Sequence, residues 1–450
     1  PAGVGVIGVL PSIIDMMRSI SSLGLDTTGV RDIANANNNA DPNQLNKTIS
    51  IFNRLFRTLA ILGLLTCAIF CRIISDWTFG TKEFAIPIAI LSIAVLLAIL
   101  TTGRSSILQG MRRIHSMAKS AIAGSFIGLF ITAPLYFFFG LKGIIPAFVL
   151  TNIASFLCVE YYYRKLEVKK VDIPRQEVIH SGMIILRFSI YLVIAGIIGT
   201  VSMYFVRAFL INNMGIDAAG LFQSAWVITN IYLGLILRTM GTDFFPRLSA
   251  LSNENGKIKK LVNEQSYIVL IIASPLIMGM LMFSETAISI FYSSDFVYAD
   301  GVLRWQIAGT FFKVLAWPIA FIMLAKNKGF LFLLTEIIFY AVYLLASYLM
   351  FSRIGLAAYG VGYMIAYVIY LPVVYLIGRF ISGFRWNKEV APMIVINLIF
   401  ITVAFYVTYY KEQYMFLAGI LILIISLIYS YFKLRKVFDF KDLKNWFKKD

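Results

Sequence analysis

Seven ionisable residues lie inside long apolar runs of this 450-residue chain: Asp15, Arg18, Arg187, Arg207, Arg238, Lys313 and Glu336. Charge at membrane depth is costly, so such residues are candidates for function wherever a long side chain cannot reach the interface. Arg18 lies about seven residues, or about 10 Å at about 1.5 Å per residue, from the nearer end of its run, deeper than an arginine comfortably spans. Lys313 is nearly central in its own run. Five of the seven are cations and two are carboxylates. Pairing among them therefore leaves net positive charge, which calls for a water-filled cavity or an anionic ligand. That chemistry is binding rather than bond-making. It makes Arg18, Arg187, Arg238 and Lys313 the candidate ligand-binding cations, with Asp15, Arg207 and Glu336 as cavity or ion-coupling groups. A structural reading stands beside each. Asp15 and Arg18, at i and i+3, pair on one helix face; Lys313 and Glu336, at similar depth on consecutive helices, neutralise each other; Arg187, Arg207 and Arg238 are close enough to an interface to snorkel.

Elements that hold such residues must cross a membrane. With 59% hydrophobic and 14% charged residues, the chain has too little polar surface to cover a soluble globule of its size. Apolar runs of about 20 residues, the length a helix needs to cross about 30 Å of hydrocarbon, recur along it. Thirteen spans are expected, near residues 3–25, 52–75, 84–103, 116–139, 142–163, 182–210, 219–241, 266–284, 303–325, 329–352, 355–379, 391–410 and 414–432. The class is an all-α polytopic membrane protein. A net charge of +17 would suit a nucleic-acid binder, but the Lys and Arg lie mostly in short connectors, which excludes that reading. Cys67, Cys71 and Cys158 lie in apolar runs and His115 is far from His180, so neither a disulfide framework, a metal site nor a cofactor is expected.

Basic residues mark alternate connectors, for example Arg104, Arg112, Arg113 and Lys119, then Arg164, Lys165, Lys169, Lys170 and Arg175. The longest connector of the other set, 285–302, carries Glu285, Asp295 and Asp300. Because Lys and Arg are retained inside the cell, the C-terminus is expected to be cytoplasmic and residue 1 external. The start at Pro1 has no basic n-region or cleavage site, so one preceding helix is expected to be missing. An internal repeat adds an architecture. Ala2-Gly3 and Gly24-Leu25-Asp26 match Ala219-Gly220 and Gly241-Thr242-Asp243; Leu108 matches Leu324; Gly140-Leu141 matches Gly355-Leu356. These matches imply two parallel six-helix lobes around a central cavity plus two C-terminal helices, with the first helix of lobe one missing from this chain. The organisation is then 1–163 for the N-terminal lobe, 164–181 for a cytoplasmic linker and 182–379 for the C-terminal lobe. Two extra transmembrane helices at 391–432 and a basic cytoplasmic tail at 433–450 complete it.

The run DAAGLFQSAWVITNIYLGLILRTMGTDFFPRLSAL at 217–251 and the opening PAGVGVIGVLPSIIDMMRSISSLGLDTTGVRDIA resemble O-antigen translocases of the multidrug/oligosaccharidyl-lipid/polysaccharide exporter superfamily. The resemblance implies a flippase of the bacterial inner membrane, carrying an undecaprenyl-pyrophosphate-linked oligosaccharide from the cytoplasmic to the periplasmic leaflet by alternating access. Implied partners are that lipid-linked oligosaccharide, membrane lipids and the polysaccharide polymerase machinery. A pyrophosphate supplies the anion the buried cations call for, and arginine's planar fork suits its oxygens. A lipid II flippase or a multidrug exporter of the same superfamily is the alternative; for the exporter, acidic residues should dominate the cavity, whereas cations dominate here. A membrane enzyme is disfavoured, because 285–302 holds neither His nor a DxD pair and no P-loop pattern occurs. The Tyr and Phe residues are expected to form interface belts and lipid-facing packing.

Overall fold

The computed structural model describes residues 14, 17, 18, 22–39, 41–79, 81–83, 85–169, 171–292, 294–410 and 413–437. Regular structure among them is helical throughout, as a lipid solvent demands, because a helix satisfies its backbone groups within itself. Eleven helical stretches of the described residues are long and apolar enough to cross a membrane. This is a multi-pass membrane protein. The expected spans fall on these stretches, and Gly329–Ser382 holds two of them. The span expected at 3–25 lies mostly outside the described residues.

The chain divides into two compact units, Pro1–Val193 with Phe245–Ala250, and Ile194–Phe244 with Leu251–Asp450. The first contains α1 (Leu25–Asn38), α2 (Pro42–Ile69), α3 (Cys71–Phe79), α4 (Ala85–Gly110), α5 (Ile114–Phe139) and α6 (Ile144–Arg164). Helix α1 falls between the first two expected spans and buries Leu25, Val30 and Ile33 against its neighbours. Asp41 caps α2 by accepting from the Asn43 N–H at 2.9 Å, with Pro42 at the first helical position. Helix α4 is central, packing on α1, α2, α3 and α6. The 40-residue α7 (Arg175–Met214) begins in this unit and ends in the second.

The second unit holds α8 (Ile216–Val227), a π-helical turn at Ile228–Leu233, and α9 (Gly234–Ala250), whose segment Phe245–Ala250 belongs to the first unit. Then follow α10 (Asn255–Met282), α11 (Ser284–Phe291), α12 (Asp300–Ala325), α13 (Gly329–Ile354), α14 (Ala358–Ser382), α15 (Val390–Tyr410) and α16 (Gln413–Val437). Here α12 is central against α10 and α14, while α10 also packs on α15 and α16.

The repeat is visible in backbone geometry. Helices α4 and α12 have 26 residues each, as do α5 and α13, at one sequence offset. Both turns between them put a non-glycine residue in the left-handed region, Arg112 at φ 58 and Asn327 at φ 59. In both, the next N–H reaches back five residues, from Arg113 to Leu108 and from Lys328 to Met323, each at 2.8 Å. This is a Schellman closure, satisfying carbonyls the helix end would leave open. It pairs Leu108 with Met323 rather than with Leu324, shifting that sequence match by one residue. Gly140 (φ 52, ψ −129) and Gly355 (φ 55, ψ −132) are conformational twins, as matched. Gly24 and Gly241 are not: Gly24, at φ 69, forms a turn before α1, whereas Gly241 lies inside continuous α9. The sequence match of the two motifs therefore does not extend to their backbone, because Gly241-Thr242-Asp243 does not end a helix.

Candidate functional site

In the first unit Arg18 is helical and half-buried, and Arg187 projects an exposed side chain from α7. Asp15 lies outside the described residues, so its expected pairing with Arg18 does too. In the second unit Arg207 and Arg238 are exposed on α7 and α9, while Lys313 on α12 and Glu336 on α13 are half-buried. Among the described residues no side-chain hydrogen bond or ion pair engages Arg187, Arg207 or Arg238, so their charge stays available to solvent, lipid head groups or a ligand.

Lys313 and Glu336 do not form the direct ion pair offered as their structural reading. Lys313 Nζ donates to Asn230 Oδ1 at 2.9 Å and lies 5.8 Å from the centre of the Tyr367 ring. Glu336 Oε1 instead accepts from the Tyr370 hydroxyl at 3.1 Å. The Tyr367 and Tyr370 rings, with centroids 5.8 Å apart, connect the two charged groups. The partners of Lys313 are thus a neutral amide and a π face, neither of which offsets its charge as a carboxylate in direct contact would. The arrangement can therefore attract an anion to the second unit while Glu336 sets the local field.

Four helical elements build this cluster. Asn230 comes from the π turn, Lys313 from α12, Glu336 from α13, and Tyr367 and Tyr370 from α14. A π turn widens the helix by one residue and re-aims the side chains around it, which is why such turns recur at functional sites. Beneath the charged groups lie Tyr343 and Tyr363, both fully buried, with Phe339 against both rings. The tyrosines of this cluster are interior, which corrects the expectation that aromatics here serve interfaces and lipid packing. Their signal was present in the sequence: Tyr359, Tyr363, Tyr367 and Tyr370 recur at helical spacing, and Asn230 is an amide inside an apolar run.

A second charged group was not singled out. Arg304 Nε meets Asp300 Oδ2 at 2.7 Å, and its Nη2 lies 3.5 Å from Glu285 Oε1. Ser284 Oγ bonds Asp300 Oδ1 at 2.5 Å. Two acids of the long acidic connector are thus fastened at the start of α12.

The fold is that of a multi-pass membrane protein and is shared with solved structures. A solved MATE structure in the bent conformation superposes with a TM-score of 0.74 at 17% identity, covering 87% of this chain and 88% of that one. Residues 1–299 match the polysaccharide biosynthesis protein family, and the chain belongs to it. Relatives include the lipid III flippase of Escherichia coli (strain K12), 21% identical over 381 residues, 82% of this chain and 88% of the relative. A putative O-antigen transporter of Shigella flexneri is 25% identical over 382 residues, with the same coverage.

Proposed function

We propose that the chain is a flippase that moves a polyprenyl-pyrophosphate-linked oligosaccharide from the cytoplasmic to the periplasmic leaflet of a bacterial inner membrane by alternating access. What carries the reading is the similarity over 82% of the chain to a lipid III flippase and a putative O-antigen transporter, within a polysaccharide biosynthesis family. The charge distribution supports it. Carrying a pyrophosphate through hydrocarbon requires replacing its hydration by fixed cations, because an uncompensated anion there costs many kcal/mol. Arg18, Arg187, Arg238 and Lys313 are the cations assigned to the head group, with Lys313 held by Asn230 and Tyr367 rather than by a carboxylate. Asp15, Arg207 and Glu336 are assigned to ion coupling. In this reading the C-terminus and the connector 164–181 are cytoplasmic, 285–302 is external, and the flipped unit passes to polymerase machinery.

The test is a strain deleted for this protein, complemented with variants brought to equal membrane levels and scored for lipid-linked intermediates left on the cytoplasmic side. Deletion should cause accumulation, and Arg18→Ala and Lys313→Gln should each reduce flipping at least about tenfold, the loss of one charge-assisted contact. If Lys313 binds substrate, Lys313→Gln with Glu336→Gln stays inactive; recovery in that double variant would return the pair to a structural role. Full flipping by both Arg18→Ala and Lys313→Gln would remove the head-group assignment.

A further inference from the structure

The first unit encloses a cavity of about 670 Å³ at one end of α2, α4 and α6, where the connector after α6 folds back over them. Three bonds hold that connector. The Lys169 N–H donates to Asn46 Oδ1 at 3.1 Å, the Val171 N–H to Ser50 Oγ at 3.4 Å, and Arg54 donates to the Ile173 carbonyl at 2.8 Å. The cavity is lined by five cations, Arg54, Arg57, Arg104, Arg164 and Lys169, against two carboxylates, Glu160 and Asp172.

Those charges are unequally committed. Glu160 holds Arg104 at 2.7 Å and Arg164 at 3.0 Å, and Arg104 also donates to Asn53 and lies 4.0 Å from the Tyr163 ring centre. Asp172 is fully exposed and 3.7 Å from Arg54, a pair that solvent largely screens. Arg57 and Lys169 are exposed and their side chains have no partner among the described residues. The wall thus combines guanidinium groups fixed in place with two uncommitted cations, and keeps a net positive charge.

The second unit shows that the fold does not require this. By the repeat register, Arg104 corresponds to Ile319 and Tyr163 to Gly378, and a Cβ added at Gly378 would fall 2.6 Å from the Ile319 side chain. Glu160 corresponds to Tyr375, whose ring stacks on Trp386 at 4.6 Å beside fully buried Phe384. Arg57 corresponds to buried Leu270 when the caps Asp41 and Glu254 are aligned. The connector bond recurs, from the Asn387 N–H to Asn263 Oδ1 at 2.8 Å. One scaffold is therefore closed by rings and aliphatics in one unit and left open and cationic in the other.

We propose that the cavity of the first unit binds a phosphate-bearing anion, at a site separate from the cations assigned to transport. Arg104 and Arg54 supply a preorganised field, and Arg57 and Lys169 supply donors free to close on the oxygens. A lipid head group and a soluble phosphate compound share this chemistry.

The experiment uses the purified full chain. In a detergent free of anionic lipid, inorganic pyrophosphate should raise the unfolding temperature with saturation, as a ligand of the native state does. Arg57→Gln with Lys169→Gln should weaken the apparent affinity on the order of tenfold or more, since each charge-assisted contact is worth about that factor. Arg57→Lys with Lys169→Arg should largely keep it, and Arg353→Gln, at an exposed cation of α13 that belongs to neither site, should leave it unchanged. The altered side chains are exposed and unpartnered, so the variants are expected to elute as the parent does. In nanodiscs, replacing phosphatidylcholine by phosphatidylglycerol separates the sources. Loss of pyrophosphate binding there, with phosphatidylglycerol retained in native mass spectra in an Arg57- and Lys169-dependent way, assigns a lipid head group; undiminished pyrophosphate binding assigns a soluble anion. If neither pyrophosphate stabilisation nor phosphatidylglycerol retention depends on Arg57 and Lys169, the proposal is overturned.

Discussion

At membrane depth the two units use one helix pair in opposite ways. In the first, α5 and α6 meet through small residues: a Cβ added at Gly124 would lie 3.2 Å from the Ser155 backbone, and one at Gly128 would lie 2.8 Å from the Thr151 methyl. In the second, the positions equivalent to Gly124 and Ser155 are Phe339 and Tyr370, whose ring centroids stand 5.8 Å apart. Ala98 of the first unit corresponds to Lys313 of the second, and Ala121 to Glu336. At the end bearing the connector after the helix pair the contrast inverts, with charges in the first unit and stacked rings in the second. The backbone repeat therefore says little about chemistry. A helix pair closes equally well over glycines or over rings, since interior packing needs filled volume rather than a particular residue. Side chains are thus free to specialise one unit at depth and the other at its end.

Exchanging residues across the repeat probes that division, and the largest effect is expected at its charged end. Ile319→Arg would force a guanidinium against Gly378 where the acid's position is taken by Tyr375. A cation buried without a partner costs about 3–5 kcal/mol, so we expect most of this variant to be lost as aggregate in size-exclusion chromatography. The reverse exchange, Arg104→Ile, leaves Glu160 with Arg164 and should cost about 2 kcal/mol in thermal unfolding. Equal effects of the two changes would abolish the distinction between the ends.

An effect between those two is expected at depth. Phe339 touches the rings of Tyr340, Tyr343, Tyr363, Tyr367 and Tyr370, so Phe339→Ala should destabilise by about 3 kcal/mol through the void it opens. Gly124→Ala asks only that Ser155 give by a few tenths of an ångström and should cost about 1 kcal/mol. The smallest effect tests what the units share. Arg112→Gly removes a Cβ from a left-handed residue and should stabilise by under about 1 kcal/mol, whereas Asn327→Gly should be nearly neutral because asparagine already tolerates that conformation. Opposite signs in the two turns, read from unfolding midpoints, would show that the common backbone is under unlike strain.

Much of this was legible beforehand. Apolar run length fixed the spans, because the thickness of hydrocarbon sets the length of a helix whatever its neighbours. Gly140 and Gly355 could be matched from sequence because a positive φ with extended ψ all but demands glycine. Gly24 and Gly241 could not be told apart, since glycine permits both a turn and a helix interior and the neighbours decide. The membrane-depth charges were readable as candidates one at a time, but their partners were not. Lys313 and Glu336 looked like a pair by depth alone, yet Asn230 and Tyr370 lie closer to them in space while being remote in sequence.

The sequence alone thus determined an all-helical chain in lipid, an internal repeat, and an excess of positive charge at depth. Each follows from a property summed along the chain: apolar run length, spacing and charge count. Only the tertiary structure decided that Lys313 meets Asn230 and the Tyr367 ring rather than Glu336, that Tyr363 and Tyr370 of α14 are buried, and that Arg57 and Lys169 line a cavity. Those outcomes depend on which helix faces meet, and residues 83 to 110 positions apart enter one hydrogen bond only after the helices have packed.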